Sequence, residues 1–582
     1  MILHALYEYY QRKAADPEST IAPEGLQWQE IKFIIIIDTD GHFVDLHDTR
    51  GENNKGKRYL LPKAQKRSGS NSWQTTFLLW DHYGYVLGHA KDESEKAKAM
   101  AGRQHESFMK ELNALPSRLQ EDAGIHAVLA FYKNQEVEKV RQHTRWPECA
   151  RIPGCNLTFR LHGETEVIPE RAAVREYIEA QAIAGAESGV YTARCLITGE
   201  TGPIARLHTA TPIWGGKSNG TLVAFQKNSG YDSYGKEQGF NAPISLRAES
   251  AYTTALKELL ASQSNKVGIG ETTFLFWAQK KEKQNGGFDL EGNIPWYFSD
   301  SRDQPDRNVA AVKALYEAVY SGRLSHEKDR FYVLALAPNA ARITIRLFKE
   351  GTTQEFAEKI KEHFDDLEII RPSFEPEYLS LYRLLTATAL EDKMDRVPPN
   401  LGAAVVESIL DGSPYPVSLY QQCLRRIRAE RKVTRTRAAI IKAYINRFNR
   451  FHTLNAKEIT MGLDPNNTNP GYLLGRLFAV LEKIQEEASP GINATIRDRY
   501  YGAASTNPVA VFPQLLKLKN HHLAKLENAG RRINFEKLAG EIIAGMTEFP
   551  AHLAMTEQGY FSIGYYHQRQ DFFTSKKTEN AQ

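Results

Sequence analysis

A chain of 582 residues is too long for one hydrophobic core, so roughly two to four domains are expected, and 42% apolar with 25% charged residues is ordinary for a globular protein. A formal net charge of only +4 does not announce a nucleic-acid binder, so the distribution of charge has to decide. Four cysteines without CxxC spacing, an N-terminus without a positive and apolar leader, and no apolar run of bilayer length lead to the expectation of a reduced cytoplasmic protein without structural zinc or a membrane span.

Residues 1–15 read as a short amphipathic helix with Leu3, Leu6, Tyr7 and Tyr10 on one face. The continuous apolar run 33–37 suits a fully buried strand. Asp38-Thr39-Asp40-Gly41 then reads as a hairpin turn before Phe43-Val44, without recourse to a metal, because the calcium-loop pattern is incomplete. Residues 50–72 carry Arg50, Lys55, Lys57, Arg58, Lys63, Lys66 and Arg67 against Glu52 and close on Asn71 and Ser72. They read as a basic, flexible hairpin or loop, fit for phosphate contact or simply a solvated face. Residues 91–145 are helical with alternating charges, and 150–168 return to strand.

The stretch 195–277 organises the chain. It reads as strand 195–198, strand 221–225, a helix carrying Ala251, Ala255, Leu256, Leu259 and Leu260, and strand 273–277, separated by two long polar loops. In the first loop, TPIWGGKS nearly fits the phosphate-binding pattern GxxxxGK[ST]. Thr211 stands where the first glycine belongs, however, and the loop leads into a strand instead of a helix N-terminus. Nucleotide hydrolysis is therefore not expected there. Gly216, Lys217, Ser218 and Asn219 still suit close approach to a nucleic-acid backbone. The second loop carries Lys227, Asn228, Tyr231, Tyr234, Lys236, Gln238 and Asn241, suited to phosphates through lysine and to base edges through Asn and Gln, with an ordinary solvated loop as the alternative.

Residues 305–370 read as helix, strand, strand, helix with the strands antiparallel, an order similar to ferredoxin-like modules. After the proline-punctuated 371–378 the chain reads as helices. Within 421–452, Arg425, Arg426, Arg428, Arg431, Lys432, Arg435, Arg437, Lys442, Arg447 and Arg450 face Glu430 as the one acid, while Leu424, Ile427, Ala438, Ile441, Ile445 and Phe448 form an apolar stripe. So much like charge repels itself unless an anion is near, which points to nucleic acid. Helices are also expected at 473–484, 512–526 and 535–546, with Lys517 and Lys519 as further backbone contacts. Adjacent His521 and His522 point to different faces of a helix, and a shared metal is not expected. The fold class is α+β: a large mixed region with an antiparallel sheet over 1–372, followed by a helical bundle over 373–582.

The runs FLLWDHYGYVLG, CLITGETGPIARLH, GGKSNGTLVAF, SYGKEQGFNAPIS, PNLGAAVVESILDGSPYPVSLYQQCLRRIRAER, GRLFAVLEKIQEEASPGINATIRDRYYGAAS and GYFSIGYYHQRQDFF, in that family's order, resemble the large subunit of the type I-C CRISPR surveillance complex, Cascade, a Csd-type CRISPR-associated protein. With no metal cluster, no nucleophile with an identifiable base and no intact phosphate loop in the sequence, a binding subunit without catalysis or cofactor is expected. The resemblance implies that it would recognise the protospacer-adjacent motif, typically TTC, in duplex DNA, promote crRNA-guided R-loop formation and stabilise the displaced strand. Implied partners are crRNA, target DNA, the Cascade backbone subunits, the crRNA-processing subunit, small subunits and a helicase-nuclease recruited after the R-loop forms, with no membrane. The resemblance also implies that the C-terminal region matches a small subunit made by internal translation, with Met461 as a candidate start and Met394 as the alternative. A metal-dependent nuclease or hydrolase using Asp38, Asp40 or the Lys217 loop, and a purely architectural crRNA-binding subunit, are the competing readings.

Overall fold

The computed structural model describes residues 2–16, 19–65, 67, 71–184, 191–227, 232, 234–279, 288–299, 305–321, 324, 330–340, 342–452 and 457–573. Two compact units emerge: Met1–Ala261 with Pro338–Thr344, and Ser262–Ala337 with Ile345–Gln582.

The first unit opens with helix α1 (Ile2–Ala14), which buries Ala5, Leu6, Tyr9 and Tyr10. Strand β1 (Leu26–Ile31) pairs antiparallel with β4 (Lys57–Pro62), so residues 57–62 of the basic segment are sheet, not loop. The main sheet has the order β3-β2-β6-β5, built from β2 (Phe33–Ile37), β3 (Phe43–Asp48), β5 (Trp80–His82) and β6 (Asn156–Leu161), with β2 and β6 parallel. Every residue of β2 is buried, as a run of five apolar residues demands. Phe33, Ile35 and Ile37 pack on α2 (Glu95–Asn113) and α3 (Ala123–Lys133) residues such as Phe108 and Phe131, whereas Ile34 and Ile36 pack on Tyr59, Leu61 and Trp80.

The expected strand at 195–198 is instead a turn. The short ribbon β7 (Thr192–Arg194) and β8 (Thr201–Pro203) brackets it, with Gly199 N donating to Cys195 O at 2.9 Å. Burial would raise the Cys195 thiol, but N–H donors from Ser245, Thr198 and Ile197 lower it to about 7. Residues 221–225 are likewise irregular apart from one bridge between Thr221 and Arg342. Helix α4 (Leu246–Ala261) forms as expected, with Ala251, Ala255, Leu256 and Leu259 buried.

A sheet ordered β12-β11-β10-β9 is built from β9 (Lys266–Ile269), β10 (Thr272–Ala278), β11 (Arg330–Asn339) and β12 (Arg342–Thr352), all in the second unit except residues 338–344. Neighbours in space are neighbours in sequence. This corrects the ferredoxin-like comparison, because a split βαβ arrangement would interleave the strands. Helices α5 (Leu290–Phe298), α6 (Pro305–Tyr320) and α7 (Thr353–Leu367) accompany the sheet. A reciprocal capping box fixes the start of α7: Thr352 Oγ1 accepts from Glu355 N at 3.1 Å, and Glu355 Oε2 accepts from Thr352 N at 2.8 Å.

Then follow α8 (Leu401–Asp411), α9 (Val417–Glu430), α10 (Arg435–His452), α11 (Pro470–Ala488), α12 (Ile496–Ala504), α13 (Pro508–Ala524), α14 (Ala529–Ala544) and α15 (Met555–Asp571). The cationic run 421–452 is thus two helices, broken where Arg431 takes a left-handed φ of 55°. One apolar core runs from Phe274, Phe276 and Val333 of the sheet to Phe478 and Phe561 of the helices, so residues 262–337 and 345–372 share a unit with everything after 373. Helices α11 and α15 lie in backbone contact: a Cβ on Gly475 would sit 2.0 Å from Phe561 O, and one on Gly564 2.1 Å from Tyr472 O.

Candidate nucleic-acid interface

The loop 211–220 is anchored at its base and exposed at its tip. Thr211 N donates to Gly220 O at 2.8 Å, Gly216 N to Ile213 O and Gly220 N to Lys217 O, both at 3.0 Å, so two successive turns fold the loop on itself. Thr211, Ile213 and Gly220 are buried, and 214–219 stand in solvent. Gly215 has φ 74°, which a side chain would strain, and that turn throws Trp214 outward until 76% of it is exposed. Lys217, Ser218 and Asn219 share the tip, and Lys217 has no ion-pair partner among the described residues. Trp214 is absent from the candidates that the sequence suggests. Its signal there is an aromatic residue set between Ile213 and two glycines in a loop with no neighbouring apolar periodicity.

The second loop holds itself together. Gln238 is nearly buried with φ 47°; its Nε2 donates to Phe225 O at 3.0 Å, its Oε1 accepts from Arg206 Nη1 at 2.5 Å, and its N donates to Asp232 Oδ1 at 2.8 Å. Asn241 Nδ2 donates to Lys236 O at 2.9 Å, and Lys227 pairs with Glu237 at 3.1 Å. The expectation that Gln238 and Asn241 read base edges is therefore corrected: the Gln238 amide is spent on Phe225 O and the Arg206 guanidinium, and the Asn241 Nδ2 on Lys236 O. Tyr234 is wholly exposed, whereas Lys66, Asn228 and Tyr231 lie outside the described residues.

The candidates in 63–72 are tied down as well. Lys63 Nζ lies 3.0 Å from Glu249 Oε2 and donates to Thr253 Oγ1 at 3.2 Å. Burial would raise the Glu249 carboxyl, but Lys63 and the Thr209 N–H hold it below the usual carboxylate range. The Arg67 guanidinium lies 4.0 Å from the Phe77 ring and 3.9 Å from Tyr85, donates to Thr75 O at 2.8 Å and pairs with buried Asp81. Burial lifts Asp81 to about 6 against the pull of Arg67. Lys63 and Arg67 are corrected from phosphate contacts to internal ties, since each charge is already matched. Asn71 is exposed and precedes the short turn Ser72–Gln74, whose Ser72 O accepts from Tyr85 Oη at 3.4 Å.

In the second unit the cationic run separates into two groups. Arg425, Arg428, Arg431 and Lys432 are exposed on and just after α9, and Arg426 pairs with Glu430. Arg435, Arg437, Lys442 and Arg447 are buried. Arg437 meets Glu430 at 2.5 Å and Arg447 meets Asp366. Arg450 reaches Asp366 and Glu458 at 2.8 Å and Glu362 at 2.9 Å. The expectation of a nearly uncompensated cationic face fails for Arg437, Arg447 and Arg450, because Glu430, Asp366, Glu362 and Glu458 pair with them. Arg435 and Lys442, expected as strand contacts, are each only 5% exposed and cannot lie on a surface track. Lys517 is exposed, and Lys519 lies 3.9 Å from Glu536.

Asp38, weighed as a metal ligand, stakes its own turn: Oδ1 accepts from Asp40 N at 3.0 Å and His42 N at 2.8 Å. Among the described residues no group of three or more His, Cys, Asp or Glu is placed to hold a metal, and no helix is long and apolar enough to cross a membrane. The family model for CRISPR-associated protein (Cas_Csd1) matches residues 6–573. No curated protein matches the chain.

Proposed function

The chain belongs to the Cas_Csd1 family of CRISPR-associated proteins, and on that premise we propose that it is the non-catalytic large subunit of a type I-C surveillance complex. It reads the short protospacer-adjacent motif in duplex DNA and starts strand separation for the crRNA. The observation that carries this reading is the 211–220 loop, a braced tip presenting Lys217 to phosphate, Ser218 and Asn219 to base edges, and Trp214 as a planar ring for a base unstacked at the motif. Guide pairing reads the long sequence, and opening the duplex is a near-balanced exchange that a few protein contacts tip. The exposed Arg425, Arg428, Arg431 and Lys432 hold the displaced strand. Backbone subunits, the crRNA-processing subunit, small subunits and the helicase-nuclease complete the assembly in the cytoplasm.

The test is binding of the assembled complex to matched duplexes with and without TTC across a salt series. Lys217→Ala with Asn219→Ala should erase the motif preference, and Trp214→Ala should slow strand opening, followed by 2-aminopurine fluorescence. The Arg425/Arg428/Arg431→Ala triple should lower affinity for every sequence alike, flattening the salt slope by about 0.9 for each phosphate that the variant no longer neutralises. Motif preference that survives the loop variants places the reader elsewhere and overturns the assignment.

A further inference from the structure

A cavity of about 580 Å³ opens in the second unit, walled by Tyr316, Phe364 and Tyr378 and floored by Arg371, Arg435 and Glu368. The segment 371–378 is laced over it. Arg371 Nη1 donates to Glu375 O at 2.8 Å, and Arg435 donates to the carbonyls of Pro376 and Glu377, the latter at 2.9 Å. Arg435 is more than nine-tenths buried, yet its nearest carboxylate, Glu375, is 3.7 Å away and its Nε is buried without a hydrogen-bond partner. No carboxylate lies within 4 Å of Arg371 among the described residues. Burial pushes Arg435 below its ordinary value against the pull of Glu375 and Tyr566, and the neighbouring Arg371 adds to the lowering.

Two poorly matched guanidinium groups facing one cavity make an anion site, and their planar forks suit a phosphate. The volume falls within the range of small-molecule pockets and is far more than a phosphate alone would fill. What remains is bounded by three aromatic rings, with centroids of Tyr316 and Phe364 at 6.1 and 5.7 Å from Tyr378, and by the Glu368 carboxylate as an acceptor. A ring system carrying an amino group satisfies both. We infer that this cavity binds a nucleoside phosphate, with the phosphate between Arg371 and Arg435, the base against Tyr316 and Tyr378, and its exocyclic amine on Glu368. The inference stands on this cavity alone and is independent of the motif-reading loop. The same chemistry arrives either as a free nucleotide or as the unpaired phosphorylated end of a strand.

The experiment titrates the full chain with the four nucleoside 5′-monophosphates, the parent nucleosides and inorganic phosphate, followed by saturation-transfer NMR and calorimetry. A monophosphate should bind at least tenfold more tightly than its nucleoside or phosphate alone. Arg371→Ala and Tyr378→Leu should each weaken it by at least tenfold, while Arg435→Lys, which keeps the charge if the loop ties hold, should weaken it less than Arg371→Ala. A second arm compares 5′-phosphorylated with 5′-hydroxyl trinucleotides: a phosphorylated strand that outcompetes the monophosphate identifies a strand end, and the reverse order identifies a free nucleotide. Either order sustains the site. Absence of monophosphate binding at about 1 mM, or binding that both Arg371→Ala and Tyr378→Leu leave unchanged in folded protein, overturns it.

Discussion

Replacing Asp366 by Asn tests whether the cationic run of α10 is a structural network. Asp366 is 4% exposed and accepts the ion pair from Arg447 while also meeting Arg450 Nη2 at 2.8 Å. Arg447 is itself 2% exposed; its Nη1 is shared by Ser408 O at 3.1 Å and Ser413 O at 3.2 Å, and its guanidinium sits 4.4 Å from the Tyr415 ring. Those contacts fix its place but do not cancel its charge. Deleting the one carboxylate leaves a buried cation unmatched, which costs about 3–5 kcal/mol. With an m-value of about 3 kcal/mol/M for urea, the unfolding midpoint of the second unit should fall by roughly 1–1.7 M. The assay is urea unfolding followed by fluorescence, read as a separate transition because a chain with two compact units need not unfold in one step. Arg450→Ala, at a site 39% exposed, should cost no more than about 1 kcal/mol. A midpoint for Asp366→Asn within about 0.3 M of the wild type would show the arginines to be solvated, and the division between buried ties and exposed strand contacts would fall.

Gly475→Ala forces a methyl group to within 2.0 Å of Phe561 O and should destabilise the second unit by about 2–3 kcal/mol in the same assay, whereas Gly540→Ala, in open space, should not. His567 is held near 3 by burial and by Lys442, below the 6.5 of an unfolded imidazole. Its contribution is therefore complete above pH 6.5 and is lost as the pH falls. Between pH 6.5 and 5 this group alone should cost the second unit about 1.7 kcal/mol; buried His363, also held below its ordinary value, adds to the loss, so His567→Gln should remove only part of the dependence. Gln238→Ala removes the bonds to Phe225 O and Arg206, so proteolysis within 225–241 should quicken while the second unit's urea midpoint stays put.

The parts of this fold legible from sequence are those in which local pattern and burial agree. A run such as Phe33–Ile37 has no polar face to show solvent, and the helix, strand, strand, helix order of 305–370 follows from period alone. Charge is not legible, because its compensation is not local. Arg447 reads as an unmatched cation until the chain brings Asp366 to it from 81 residues away. The amides of Gln238 and Asn241 resemble base readers for the same reason, since composition cannot distinguish a side chain that offers its hydrogen bonds from one that has spent them. Trp214 escapes a sequence reading because no periodicity contains it, and only the turns at 213–216 and 217–220 reveal that it has nowhere to be buried.

The glycine seam between α11 and α15 imposes an order of events on synthesis. Helix α11 ends at Ala488 and its partner at Asp571, so 571 − 488 = 83 residues must emerge before the seam can close. At ribosomal rates that is roughly 4–17 s during which Phe478 of α11 can meet Tyr501 and Phe512 of α12 and α13 but not yet Phe561 and Tyr565 of α15. The bundle is thus completed from its far end, and a chain halted anywhere before α15 is not a shorter version of this domain but an unclosed one.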